Sequence, residues 1–167
     1  MYKKIYNFFI SFLNEIYIFE SKCNKKKIKF KNYSLKKYKT LDEISDHKII
    51  QYIKKDDKHL RFKKKQILLV LFYNKKSVCS GWMNKKSSWL ITEINKKIYT
   101  KNTIILYDFI TFLNFRRKGY YTKILKLIKN IRTNKTFIIY SLKTNKKSCN
   151  GILKSNFILK NKMKRLF

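Results

Sequence analysis

The chain has 167 residues, enough for one domain with a proper core and too few for two, and its 13 Phe and 12 Tyr exclude a disordered chain. A formal net charge of +33 points on its face to nucleic acid or an anionic surface. The composition supplies a blander cause: Ala and Pro are absent and only three Gly and five Arg occur, whereas Lys, Ile, Asn, Phe and Tyr, with codons rich in A and T, abound. Much of the Lys is then drift on a solvated surface, and bare charge supports only salt-sensitive, sequence-blind binding, so no specific nucleic-acid partner is expected. Cys23, Cys79 and Cys149 fit neither a disulfide framework nor a CxxC metal spacing, and His47 and His59 stand alone. Reduced thiols, a cytoplasmic location and no metal are the expectations.

In chain order, Ile5, Phe8, Phe9, Phe12, Leu13 and Ile16 recur at helical spacing and predict an amphipathic helix over residues 1–14. Asn7, Asn14 and Glu15 break the run and no small-residue cleavage site follows, unlike a signal peptide. The run is also too short to span a bilayer. Packing on the domain is its expected role, with peripheral membrane contact through residues 1–19 as the alternative. Alternation predicts strands at 15–21 and 28–35. Thr40-Leu41-Asp42-Glu43 has the capping-box spacing and predicts a helix running toward Ile53. Two apolar runs, 66–73 and 77–83, flank Asn74-Lys75-Lys76 and read as a hairpin, and 88–94 reads as another strand. Residues 103–112 are apolar on both faces, as a covered central strand requires. A helix over 120–131, a strand over 136–142 and a basic tail complete a mixed α/β layer architecture of one domain.

The chemistry concentrates at Arg116-Arg117-Lys118-Gly119-Tyr120-Tyr121, between the central strand and the helix. The first helical N–H groups have no internal partner and the dipole adds positive charge, so a basic, Gly-containing turn there makes an anion site. Gly119 permits turn dihedrals and a close backbone approach. In a composition that disfavours Gly and Arg, such a cluster stands out.

This segment resembles motif A of the GNAT acetyltransferase superfamily, Gln/Arg-x-x-Gly-x-Gly/Ala, with Arg116 at the first position and Gly119 at the central Gly; Tyr121 departs from the final Gly/Ala. A second motif is similar: Asn145 after the strand, Ser148 as the small residue, and Asn156-Phe157 in place of Gly-Phe, Asn being the best substitute for Gly in a left-handed turn. The resemblance implies an α/β (α+β) fold with a mixed, mostly antiparallel sheet flanked by helices, and acetyl-CoA as co-substrate. It implies a cofactor site formed by Phe109, Ile110, Thr111, Arg116, Arg117, Lys118, Gly119, Tyr120, Tyr121 and Asn145, with backbone N–H groups of 109–112 polarising the thioester. The Tyr that often serves as general acid in the family falls at Ile152. Members encoded with surface-polysaccharide enzymes share the Tyr-Asp, Thr and Arg-x-x-Gly-x-Tyr pattern, which suggests an amino-sugar acceptor.

After Asp57 the sequence holds only two carboxylates, Glu93 and Asp108. Asp108, on the strand parity of Leu106 and Ile110, is the first candidate base, in an expected apolar setting; Glu93 is the second. Trp82, Trp89 and Tyr107 are candidates for the acceptor pocket. A small-molecule amine acceptor, a monomer or homodimer, and a non-catalytic basic binding module as the alternative are the remaining expectations.

Overall fold

The computed structural model describes residues 15–24 and 27–164. Its centre is set by the most apolar runs. β3 (Ile67–Tyr73) and β4 (Lys76–Asn84) are joined by Asn74-Lys75, at φ 47° and 63°, a two-residue turn whose twist matches that of the paired strands. β7 (Thr103–Thr111) pairs with β4, and β8 (Thr136–Leu142) lies parallel to β7. β1 (Glu15–Ser21), β2 (Tyr33–Tyr38) and β9 (Ile158–Lys164) complete a seven-stranded sheet in the order β2-β3-β4-β7-β8-β1-β9. All its neighbours except β7 and β8 are antiparallel. A separate hairpin consists of β5 (Ser88–Ile91) and β6 (Lys96–Tyr99).

The central strands are apolar on both sides because both sides are covered. Leu69 and Leu71 of β3 and Leu106 of β7 join Ile124, Leu125 and Ile128 of α3 (Tyr120–Ile128) and Cys149 and Ile152 of α4 (Lys146–Lys154). Leu68, Val70, Trp82, Ile105 and Tyr107 face Ile49 and Ile53 of α1 (His47–Lys54). Burying each Leu or Ile on these faces contributes about 2 kcal/mol, so a two-sided sheet is the stable arrangement for such runs. A short α2 (Leu60–Lys63) follows α1.

Two expectations change. The helix does not start at Thr40: Glu43 Oε2 accepts the Lys39 N–H at 2.7 Å, closing a turn, and α1 begins after Asp46, whose Oδ1 accepts from Lys48 N at 3.0 Å. The second strand begins at Tyr33 rather than residue 28. Both backbone groups of Ile28 are taken by the Asn130 side chain, at 2.9 and 2.5 Å, which holds this stretch as a loop against the end of α3. The helix over 1–14 lies outside the described residues. Ile16, its last apolar position, is buried in β1, which lies between β8 and β9. Among the described residues no helix is long and apolar enough to cross a membrane.

Candidate active site

The site grows from an irregularity in β7. Ser80 pairs with Ile110 and Trp82 with Tyr107, so Gly81 alone opposes two residues, Asp108 and Phe109. This is a β-bulge, and Asp108 adopts φ 48° to form it. The Phe109 ring occupies the space above Gly81, where any Cβ would collide with it. On the other edge, β7 and β8 pair only from Thr103–Thr136 to Leu106–Ile139. Beyond that point the parallel strands part at their carboxyl ends, the usual place for a ligand crevice in α/β sheets.

A cavity of about 1000 Å³ fills the parting, lined by the ends of β7 and β8, the loop after β7, and the facing sides of α3 and α4. The loop makes one turn of 3-10 helix at Leu113–Phe115, passes Arg117 at φ 63°, and reaches Gly119, the N-cap of α3, at φ 73°. A side chain at 119 would be strained in that left-handed conformation. Arg116 Nε donates to Thr111 O at 3.3 Å, which anchors the guanidinium to the strand end. Gly119, Tyr120, Tyr121 and Thr122 line the cavity, so the unpartnered end of α3 forms its wall beside Arg116 and Arg117.

The opposite wall starts at Asn145, whose Oδ1 accepts from Ser148 N at 3.1 Å and caps α4. The Tyr121 ring spans the gap between the helices. It rests on the Phe109 ring (centroids 5.7 Å apart), lies where a side chain on Gly151 would stand, and brings its hydroxyl to 3.3 Å from Ser148 Oγ. Burial pushes the Tyr121 phenol well above its ordinary range.

A second cavity, of about 520 Å³, lies on the α1 side of the sheet and shares Tyr107, Asp108, Glu93 and Tyr140 with the first. Asp108 Oδ2 is 2.5 Å from Arg61 Nη1 and 3.9 Å from Lys58 Nζ, and the Arg61 guanidinium lies over the rings of Trp82 and Tyr107. Tyr107 donates its hydroxyl proton to Gln66 Oε1. Trp89 Nε1 donates to Tyr140 Oη at 3.2 Å, and its ring packs at a tilt of 46° against Tyr107, centroids 4.5 Å apart. Burial, with the Glu93 charge second, pushes the Tyr140 phenol up to about 12.

No family model and no curated protein matches the sequence. Solved structures do match. A GNAT-family acetyltransferase from Colwellia psychrerythraea superposes with TM-score 0.58 at 13% identity, over 87% of this chain and 52% of its own. A protein from Novosphingobium aromaticivorans DSM 12444, described as a GNAT-family acetyltransferase, gives 0.57 at 6% identity, over 90% of this chain and 61% of its own. The chain has the GNAT fold. A conserved protein of unknown function from Staphylococcus epidermidis ATCC 12228 shares it, with TM-score 0.56 at 11% identity over 89% and 59% of the two chains. This chain therefore spans between half and three-fifths of the length of these structures.

Within the GNAT fold the expected cofactor residues come together: Phe109, Ile110, Thr111, Arg116, Arg117, Gly119, Tyr120, Tyr121 and Asn145 all line the larger cavity. Lys118 does not, and the Tyr120 ring turns away into a cluster with Tyr33, Tyr73 and Phe115, leaving its backbone at the wall. The Phe112 N–H bonds to Val78 O at 3.1 Å, which takes it out of the set of amides expected to polarise a thioester. Asn156 adopts φ 61°, the left-handed turn expected of it.

Two corrections concern the acceptor side. Trp82 is 0% exposed and borders neither cavity; it is a core residue against Phe62 and under Arg61. Asp108 does not share the parity of Leu106 and Ile110, because the bulge rotates it out of the alternation. Its neighbours are Arg61 and Lys58 rather than apolar side chains. Ile152 is fully buried in the core, in keeping with its reading as a residue that offers no acid.

Arg61, Gln66, Tyr140, Gly81 and Gly151 were not anticipated as site residues. Rarity was the available signal for two of them, Gly81 and Gly151. All three glycines of the chain serve this cleft, Gly81 under Phe109, Gly119 at the helix cap and Gly151 against Tyr121.

Proposed function

We propose that the chain is an acetyl-CoA-dependent N-acetyltransferase that moves an acetyl group to an amine, with an amino sugar as the acceptor class. One observation carries the reading. In a chain of 42 cationic and nine acidic residues, the only two carboxylates after Asp57, Glu93 and Asp108, both border the junction of the two cavities. Two carboxylates that border the same clefts of a basic protein are the groups available there to attract an amine and take its proton.

The larger cavity fits the co-substrate in size and chemistry. Arg116, Arg117 and the N–H groups at the start of α3 would hold the pyrophosphate, while Phe109–Thr111 and Asn145 border the path of the acyl arm. Acetyl-CoA supplies the thioester when bound. Arg61 fixes the Asp108 carboxylate at the edge of the bulge, where it removes the amine proton, with Glu93 as second candidate. Trp89, Tyr107 and Tyr140 offer an aromatic wall on which a sugar ring stacks. Orientation of amine and thioester across the parted strands supplies the rest of the rate.

The test is release of free thiol from acetyl-CoA in the presence of glucosamine and of simple primary amines. Asp108→Asn is expected to lower kcat about 100-fold or more, and Glu93→Gln by a smaller factor. Full activity in both variants would remove the carboxylates from the mechanism.

A further inference from the structure

The α1-side cavity is polarised along its length. Its inner end, shared with the larger cavity, holds both carboxylates, Asp108 and Glu93. Arg61, Lys64 and Gln66 line only the outer end. The turn that closes α2 brings these three together. Gln66 N donates to Arg61 O at 3.1 Å, Lys65 N donates to Phe62 O at 2.8 Å, and Lys65 takes φ 57° to make the bend.

The donors of the outer end differ in what already holds them. Arg61 is committed, with Nη1 on Asp108 and the guanidinium over the rings of Trp82 and Tyr107. Gln66 is only 7% exposed, and its Oε1 accepts the Tyr107 hydroxyl proton. The amide nitrogen is therefore the end left over, and among the described residues no acceptor meets it. A buried amide with unmatched donors carries a cost that a ligand oxygen removes. Lys64 stands exposed at the rim and forms no ion pair among the described residues. Asp108 already has Arg61 at 2.5 Å and Lys58 at 3.9 Å, so Lys64 is not needed to balance it.

A cation and an amide donor at one end, with carboxylates at the other, suit a molecule that is acidic at one end and an amine at the other. We infer that the acceptor is an amine that also carries an acidic group, carboxylate or phosphate, held by Gln66 Nε2 and Lys64 at the outer end while the amine meets Asp108 and Glu93; this rests on the proposed acetyl transfer. The cavity, of about 520 Å³, has room for one sugar ring with its substituents. A neutral amino sugar would leave the Gln66 amide and the Lys64 charge unused.

The test compares 2-amino-2-deoxyglucuronic acid, glucosamine 6-phosphate and glucosamine as acceptors, with saturating acetyl-CoA at moderate salt. At least one acidic sugar should exceed glucosamine in kcat/KM by about 10–100-fold, the worth of a hydrogen bond to a charged group. The better of the two tells carboxylate from phosphate. Gln66→Glu keeps an acceptor for Tyr107 and puts an oxygen where the amide nitrogen was, so it should bring that ratio to about one or below. Lys64→Gln, at an exposed position, should lower it about threefold, and it carries the test if Gln66→Glu does not fold. A second readout needs no turnover. In calorimetry without acetyl-CoA, the preferred acidic sugar should bind the wild type about tenfold more tightly than Gln66→Glu. The net charge of +33 draws any anion weakly, and the variant lowers it by a single charge, so lost binding marks the cavity rather than the surface. Equal use of the three sugars by the wild type, or a ratio that neither variant changes, overturns the inference and leaves acetyl transfer standing. A wild type that binds acetyl-CoA but transfers to no amine overturns the proposed function, and the inference with it.

Discussion

Gly151→Ala should change sign with its neighbour. A Cβ at 151 would stand 2.7 Å from Tyr121 Cδ1 and 3.0 Å from Cε1, and the ring is backed by Phe109, so it cannot simply swing aside. Overpacking of this kind costs about 1–3 kcal/mol. Ala in place of Gly inside α4 gains about 1 kcal/mol of helix propensity. The net for the wild-type background is then a loss of about 0–2 kcal/mol. With Tyr121→Ala the obstacle is gone, and Gly151→Ala should stabilise by about 1 kcal/mol. Urea unfolding followed by the fluorescence of the tryptophans, of which Trp82 is fully buried, gives all four corners of the cycle. A coupling of about 1–3 kcal/mol is expected. Equal stabilisation by Gly151→Ala in both backgrounds would mean the ring does not occupy that space.

Further outcomes follow from burial. Cys79 is fully buried and its thiol is pushed from 9.0 up to about 12, chiefly by desolvation. A raised folded value means the stability it contributes is complete below about pH 9 and is lost as pH rises from there toward about 12. The urea midpoint of the wild type should therefore fall more steeply across pH 9–11 than that of Cys79→Ala; parallel curves would contradict this. The two tryptophans should separate cleanly. Trp82→Ala should cost about 3–5 kcal/mol of stability, whereas Trp89→Ala should mainly raise the KM for the amine and leave acetyl-CoA binding unchanged. A reversed pattern, read by unfolding and steady-state kinetics, would move Trp82 back to the acceptor pocket.

The strands were legible where a period is uninterrupted. The runs at 15–21, 66–73 and 136–142 declared themselves, with the strand at 67–73 starting one residue later than read and the turn at Asn74-Lys75 one residue shorter. The anion loop was legible because its charge, its Gly and the following helix are contiguous in sequence. What was hidden is non-local or aperiodic. The bulge at Asp108 inserts one residue and inverts the alternation, so a period-two reading put its side chain among the wrong neighbours. Arg61 meets Asp108 across 47 positions, and nothing in either local sequence announces the pair. β6 is four residues long with two Lys, too short and too polar to register a period. The placement of β1 between β8 and β9 depends on the folded sheet and leaves no trace in chain order.

The central claim is that the loop from Arg116 to Tyr121 holds the acyl donor's pyrophosphate. Calorimetric titration of the protein with acetyl-CoA at moderate salt, beside Gly119→Glu, tests it most directly, because a +33 chain attracts any polyanion weakly when salt is low. Glutamate at 119 places a negative side chain at the helix N-terminus on a backbone held at φ 73°. Saturable one-site binding in the wild type, lost in the variant, is the predicted result. No binding at all, or binding that the variant keeps, would contradict the account and leave the loop a basic turn.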